Sequence, residues 1–363
     1  MRGLSNGHLQ TIVGNFIPRP ALQISAVAET VVVDPTDGSR VLCHCHWQPE
    51  TVRAQRLSVV LVHGLEGSSD SGYVQGIAAR AWQAGWNVVR MNMRTCGGTE
   101  TLTPTLYHSG LSGDVDAVVR HFAARYGLER VALVGYSMGG NLALKLAGEW
   151  GLEQNQSIRA LDEGLKGGFF LRKKPIEGCA PGYSYSGFAM GAPLFAVATV
   201  CPAIDLAPGS DALHRPLNRG YEQRFLLDLM ARYQRKAKLF PGIYVSRKEI
   251  GPVRSIREFD NKIVARYWDF SDADDYYRRA AAARVVDRIA VPTLILRALD
   301  DPFIPLLAET RARLHANPYI TLVETAHGGH CAFLSRDPGD QIHWAEAMVV
   351  RFLQAQCAEA DGS

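Results

Sequence analysis

Val131-Ala132-Leu133-Val134-Gly135-Tyr136-Ser137-Met138-Gly139-Gly140-Asn141-Leu142-Ala143-Leu144-Lys145-Leu146-Ala147 reads as a buried strand, a glycine-flanked serine and a helix in direct succession. The apolar run at 131–134 suits a strand covered on both faces. Residues 141–150 are good helix formers. Gly-x-Ser-x-Gly alone recurs by chance, and the strand before it and the helix after it make the match informative. A serine on so tight a turn sits in strained backbone, and the glycines two residues away let neighbouring chain approach. Its hydroxyl then stands above the sheet, with a helix N-terminus beneath a developing oxyanion. The plainer alternative, a serine that only caps the helix, does not account for the strand directly before the turn.

Outward from this point the same rhythm repeats. Runs at 27–33 and 40–47 flank the turn pair Asp37-Gly38 and predict a hairpin. Further strands are expected at 58–62, 86–92, 130–134, 195–200, 293–297 and 320–324, and helices at about 73–84, 113–126 and 341–356. Strand, crossover helix, strand implies an α/β fold with a mainly parallel central sheet flanked by helices. Two segments interrupt it. Residues 151–191 mix Gly, Pro, Lys and Tyr without a period and read as an insertion, open to disorder. Residues 207–275 read as a helical cap, clearest at 221–239. The α/β core is thus divided into 1–150, a strand segment at 192–206 and a C-terminal part at 276–363.

The chain has 363 residues, 47% apolar and 21% charged, which fits an ordinary globular protein and excludes disordered and low-complexity classes. Lys+Arg 39 against Asp+Glu 36 leaves +3, too little charge to argue for a nucleic-acid partner. Seven irregularly spaced cysteines (43, 45, 96, 179, 201, 331, 357) read as reduced thiols. Residues 1–20 hold no apolar signal-peptide core, and the apolar stretch 192–207 is broken by Pro193, Pro202 and Asp205. A cytoplasmic chain with no integral membrane anchor is the expectation.

A serine nucleophile needs a base, and the base needs a group that fixes its tautomer. In this architecture the chain order is Ser, then Asp or Glu, then His. His327 and His330 lie in Ala326-His327-Gly328-Gly329-His330-Cys331, just past the strand at 320–324, and either could be the base. Asp300-Asp301-Pro302 ends the strand at 293–299. A small residue, two others and then the acid is a common arrangement at this turn. Ala298 with Asp301 satisfies it and leaves Asp300 as runner-up or turn stabiliser. Val59-Val60-Leu61-Val62 runs into His63-Gly64-Leu65-Glu66-Gly67, the place for an oxyanion loop. That nominates the backbone amides of Leu65 and Met138, with His63 fixing the loop.

With these residues in hand, the chain resembles the α/β-hydrolase superfamily and, more narrowly, the YheT/ABHD-type esterases, a group that includes EMB8-like plant proteins. The resemblance is carried by Asn6-Gly7-His8-Leu9-Gln10-Thr11, His63-Gly64-Leu65-Glu66-Gly67-Ser68, Asn92-Met93-Arg94-Thr95-Cys96-Gly97-Gly98 and Tyr107-His108-Ser109-Gly110. It continues through the Ser137 pentapeptide, Phe259-Asp260, Asp275-Tyr276-Tyr277, Asp300-Asp301-Pro302-Phe303 and His327-Gly328-Gly329-His330. The family pattern implies a charge relay of Ser137, Asp301 and His330, with His327 as a structural partner. It also implies action on carboxylic esters, including acylglycerols.

Three features look chemical and are read otherwise. Cys43-His44-Cys45-His46 has zinc-binding residue types, but a strand sends its thiols and imidazoles to opposite faces. Arg94 is expected near the pocket mouth, in an ion pair with a loop carboxylate. Cys331 reads as a small apolar filler. The expected protein is a serine hydrolase of small-molecule esters or lipids that uses no metal and no organic cofactor. A thioesterase or acyltransferase on the same residues is the alternative, and a non-catalytic ligand-binding homologue a more distant one.

Overall fold

The strands Val27–Asp34 (β1), Ser39–His46 (β2), Ser58–Val62 (β3), Asn87–Met91 (β4), Val131–Tyr136 (β5), Leu194–Val200 (β6), Thr293–Ala298 (β7) and Ile320–Thr325 (β8) pair into one sheet. Its order is β1-β2-β4-β3-β5-β6-β7-β8. β1, β2 and β4 pair antiparallel, and every pairing from β4 through β3 to β8 is parallel. The computed structural model describes residues 6–20, 22–166, 194–335 and 342–362, with the backbone alone along 153–166.

The helices are Gly7–Gly14 (α1), Gly72–Gln83 (α2), Ser112–Tyr126 (α3), Met138–Lys166 (α4), Leu206–Leu213 (α5), Arg219–Leu239 (α6), Ala273–Ala280 (α7), Ala308–Ala316 (α8) and Trp344–Gly362 (α9), besides shorter turns. The pleat of β3 divides the core between them. Val59 and Leu61 face Val74 and Ile77 of α2 and Val349 and Leu353 of α9. Val60 and Val62 face the layer built on Val118 and Phe122 of α3 and Leu142 and Leu146 of α4. Both faces are covered, which is why the central strands are continuous apolar runs. β1, at an edge, instead buries Val31 and Val33 while Val27 and Val32 stay exposed.

Connections leave β3 toward β4 on one side and β5 toward β6 on the other. Adjacent strands with opposite crossovers open a crevice at their carboxyl ends, where ligands of open α/β sheets bind. Both candidate loops, 63–67 and the Ser137 turn, sit there.

The structure corrects the reading of the insertion. α4 runs on through Lys166, so 151–166 is helix. The Leu, Glu, Gln and Ala of that stretch favour helix without the apolar period that would have announced it. The remainder of the expected insertion, 167–191, lies outside the described residues. Within residues 207–275 the chain is largely helical, with α6 as its longest helix. The closing helix begins at Trp344, later than the expected 341, and extends past 356 to Gly362. No helix among the described residues is long and apolar enough to cross a membrane.

Candidate active site

Ser137 stands between β5 and α4 with φ 52°, in the left-handed region that costs a non-glycine residue about 1–3 kcal/mol. Its N–H donates to Val200 O at 3.0 Å, and its carbonyl accepts from Asn141 N and Ala203 N. The two glycines have separate tasks. A Cβ on Gly139 would overlap the carbonyl oxygens of Val62 and His63, and one on Gly135 would overlap the Gly139 backbone. The helix start is thereby pressed against the end of β3.

Asp301 and Asp300, adjacent in sequence, hold different groups. Asp301 Oδ2 lies 2.8 Å from His330 Nδ1, and Oδ1 accepts from Phe303 N and Ile304 N at 3.1 and 3.0 Å. Asp300 Oδ1 accepts from Gly328 N and Gly329 N at 2.9 and 2.8 Å, while Oδ2 lies 3.3 Å from His327 Nδ1. His330 therefore pairs with Asp301, and His327 with Asp300 beside the turn. Burial by itself depresses the His330 pKa, but the adjacent Asp301 carboxylate outweighs it and raises the imidazole above its ordinary value. Asp301 also leaves Nε2 as the ring nitrogen available to a substrate-side partner.

Among the described residues Ser137 Oγ makes no hydrogen bond to His330. Val200 O links the Ser137 turn to the residue after His330: it accepts from Ser137 N and lies 3.6 Å from Cys331 Sγ. Unliganded sites often leave this contact long, to be tightened by substrate.

The loop after β3 is pinned on three sides. His63 Nδ1 contacts Gly64 O at 2.8 Å and Nε2 accepts from Met93 N at 3.1 Å. Burial pushes His63 down to about 4, so it is neutral and serves the loop. The Tyr73 hydroxyl accepts from Gly64 N at 2.9 Å. Glu66, at φ 56°, binds Arg232 of α6 through both carboxylate oxygens, at 3.1 and 2.9 Å, and accepts from the Tyr107 hydroxyl at 2.6 Å. The amides of Leu65 and Met138 donate to no described residue, and both residues line the same cavity as Ser137.

α1 was quoted in the sequence only as part of a resemblance, yet it clamps the His330 loop. Thr11 Oγ1 accepts from His330 N at 2.8 Å, and Gln10 Oε1 accepts from Leu334 N at 3.3 Å. His8 stacks on Tyr221, while Tyr221 against Phe303 and Phe303 against the His330 ring make tilted contacts, with centroids 5.8, 5.2 and 4.4 Å apart. Thr11, Glu66, Tyr107 and Arg232 were missed as site residues. For Thr11 the glycines were the available signal, because side chains at Gly7 or Gly329 would collide with the facing loop or helix.

Above Ser137 lies a cavity of about 110 Å³, walled by Leu206, Leu213, Phe225, Leu229 and Phe303, apolar side chains from the cap and the Asp301 loop. Arg94 makes the expected structural ion pair, but away from the pocket. It is fully buried away from the cavity lining and forks onto Asp114, in the first turn of α3, at 2.7 and 2.8 Å. A guanidinium in that position needs a bidentate carboxylate to offset desolvation. Cys331 is also more than filler: its thiol, that of Cys201 and a His330 ring nitrogen lie within 4.8 Å of one another. A soft cation held there would occupy the imidazole that pairs with Asp301. Along β2, Cys43 and Cys45 point into the core while His46 meets Trp82 on the other face.

Over 359 residues the chain is 31% identical to YheT of Escherichia coli (strain K12), covering 97% of this chain and 92% of that protein. It belongs to the YheT/ABHD-type family of α/β-hydrolases. Residues 58–161 match the family model described as the alpha/beta hydrolase fold. Phospholipase ABHD3 of Mus musculus is 28% identical over 300 residues, 83% of this chain and 64% of its own length, so this family member spans under two thirds of that relative. Among solved structures, carboxyl esterase 2 from Tuber melanosporum aligns with a TM-score of 0.52 at 16% identity, covering 93% of this chain and 88% of the esterase. That likeness is one of fold.

Proposed function

We propose that this family member is a serine hydrolase that cleaves carboxylic esters by double displacement. Ser137 Oγ attacks the acyl carbon while His330 Nε2 takes its proton. The Leu65 and Met138 amides receive the tetrahedral oxyanion, a contribution of about 3 kcal/mol per donor in comparable sites. His330 then protonates the leaving alcohol. Water, deprotonated by the same imidazole, attacks the acyl-Ser137 ester, and collapse of the second intermediate frees the acid. Asp301 holds the tautomer and stabilises the imidazolium throughout. No step calls on a metal or organic cofactor.

The observation that carries this reading is the 2.8 Å Asp301–His330 pairing beside a left-handed serine whose neighbouring amides are unengaged. The apolar cavity suits an acyl chain, and the curated relatives named as an esterase (YheT) and a phospholipase (ABHD3) support the reading. The free thiols, all six described cysteines being unpaired, fit a reducing compartment. Hydrolysis of p-nitrophenyl butyrate and labelling by a fluorophosphonate test the proposal. Ser137→Ala is expected to abolish labelling and lower turnover by about four orders of magnitude or more. Full activity in that variant overturns the assignment.

A further inference from the structure

The cavity above Ser137 is mostly apolar, and its lining carries one group that the proposed ester cleavage does not use. Asp260 supplies the sole carboxylate among the described residues that line it, and the residue is only 8% exposed. Most other polar groups of the lining are engaged by protein. Tyr107 donates to Glu66, Tyr276 accepts from Ser109 N, and His108 Nδ1 accepts from Gly110 N. Asp260 Oδ2 accepts from the Tyr277 hydroxyl at 2.6 Å, and that hydroxyl lies 2.9 Å from Ser210 Oγ. Oδ1 makes no hydrogen bond to any described residue.

Among the described residues no ion pair to this carboxyl is formed. Arg257, whose charge acts on it, lies over the Tyr277 ring at 5.2 Å and is committed to Asp211 and Asp274 at 3.0 and 2.5 Å. Burial pushes the Asp260 carboxyl up to about 7, against the opposing pull of the Tyr277 hydrogen bond and of Arg257. A buried acid without a full set of partners is costly to keep, and such groups call for an explanation. The backbone adds another sign. Asp260–Val264 is a π-helical turn between the α-helical segments Ile256–Phe259 and Ala265–Tyr267. Single π turns interrupt helices mostly at functional positions, because they re-aim side chains at the cost of helix geometry. Here Phe259, Asp260 and Val264 all reach the cavity.

We propose that Asp260, anchored by Tyr277, is a subsite for an alcohol hydroxyl, so that the preferred substrates are carboxylic esters bearing a free hydroxyl away from the reacting carbonyl. A hydroxyl suits it because it can donate to Oδ1 of the ionised form and accept from the protonated one, while an added charge would meet an otherwise apolar wall. The hydroxyl could belong to the acyl chain or to the leaving alcohol. This inference rests on the reading of Ser137 as the ester-cleaving nucleophile.

The test compares kcat/KM within matched pairs, a ratio that does not depend on how much of each preparation is folded. The acyl arm uses p-nitrophenyl 3-hydroxybutyrate against the butyrate and 6-hydroxyhexanoate against the hexanoate. The alcohol arm uses 1-butyrylglycerol against butyl butyrate. A hydrogen bond to such a group is worth roughly a ten- to hundredfold preference for the hydroxylated member of at least one pair. The pair that shows it identifies which side of the ester faces Asp260. Asp260→Leu is expected to bring that ratio close to one, and Asp260→Asn, which keeps the shape and an acceptor, to retain part of it. Should Asp260→Leu fail to fold, Tyr277→Phe, which frees the carboxyl from its anchor, must lower the same ratio. Hydrolysis of both members of every pair at equal rates overturns the subsite and leaves the hydrolase reading standing. So does a preference that survives in Asp260→Leu. A wild-type protein that cleaves no ester in either arm and fails to label with fluorophosphonate brings down both.

Discussion

The hydroxyl of Thr11 joins the first helix to the backbone of the proposed base, 319 positions away, by accepting from His330 N at 2.8 Å while donating to Gly7 O at 2.7 Å. Thr11→Val keeps the shape and removes the acceptor, leaving a partly buried N–H unpaired at a cost of about 1–3 kcal/mol. Because that N–H belongs to His330, the loss is expected in kcat, by roughly ten- to a hundredfold, with KM for p-nitrophenyl butyrate much less affected. Thr11→Ser restores the rate. A Thr11→Val protein with lowered melting temperature but unchanged kcat would mean that α1 contributes to stability alone.

The adjacent aspartates separate cleanly. Asp301→Asn is expected to lower kcat by about three to four orders of magnitude, since the amide can favour the wrong imidazole tautomer. Asp300→Ala removes the acceptor for Gly328 N and Gly329 N together with the carboxylate beside His327, and is expected to cost stability more than rate. The pH profile carries the sign. Asp301 raises the His330 pKa, so kcat/KM of the wild type falls as acid protonates the base, with its midpoint above the unperturbed value of about 6.5. Without the carboxylate that limb moves to lower pH. The same raised pKa contributes folding stability that is full below about 6.5 and is lost as pH rises through the folded value. A profile of Asp301→Asn with an unmoved acid limb would contradict the pairing.

Gly139→Ala places a methyl group on the carbonyls that close β3. Neither oxygen can retreat, since both belong to the packed backbone at the sheet crevice. The change is expected to reduce soluble yield or melting temperature markedly, and any folded protein should label slowly with fluorophosphonate. Gly98→Ala, which meets nothing within 4 Å but sits at φ 79°, should cost only the strain of that conformation, about 1–2 kcal/mol. Comparing the two melting curves checks that crowding, and not glycine freedom in general, governs position 139.

The strand alternation, the Ser137 turn and the placing of Asp301 and His330 after strand ends were legible because each is a local pattern: apolar runs, a glycine-flanked turn, an acid at a strand end. Asp301 is preferred to Asp300 by its spacing to Ala298 taken together with its order and register relative to Ser137 and His330. What escaped has no local period. α1 has eight residues, and its worth lies in meeting a loop at the other end of the chain. The Glu66–Arg232 pair spans 166 positions and joins a loop to a cap helix whose sequence shows only that it is helical. The run of α4 beyond Trp150 escaped because propensity without an apolar stripe resembles a polar insertion.

That pair also offers a way to separate stability from catalysis. Both side chains are under a tenth exposed, and Arg232 additionally donates to Thr95 O. Arg232→Met strands the Glu66 carboxylate in the interior, at an expected cost of about 3–5 kcal/mol. It also frees the loop that carries the Leu65 amide, so kcat on p-nitrophenyl butyrate is expected to fall by at least tenfold. Glu66→Gln combined with Arg232→Met removes the stranded charge, and part of the lost melting temperature should return. The rate should not return with it, because nothing then ties position 66 to α6. If kcat recovers in step with stability in the double variant, the pair holds the protein together without positioning the oxyanion loop.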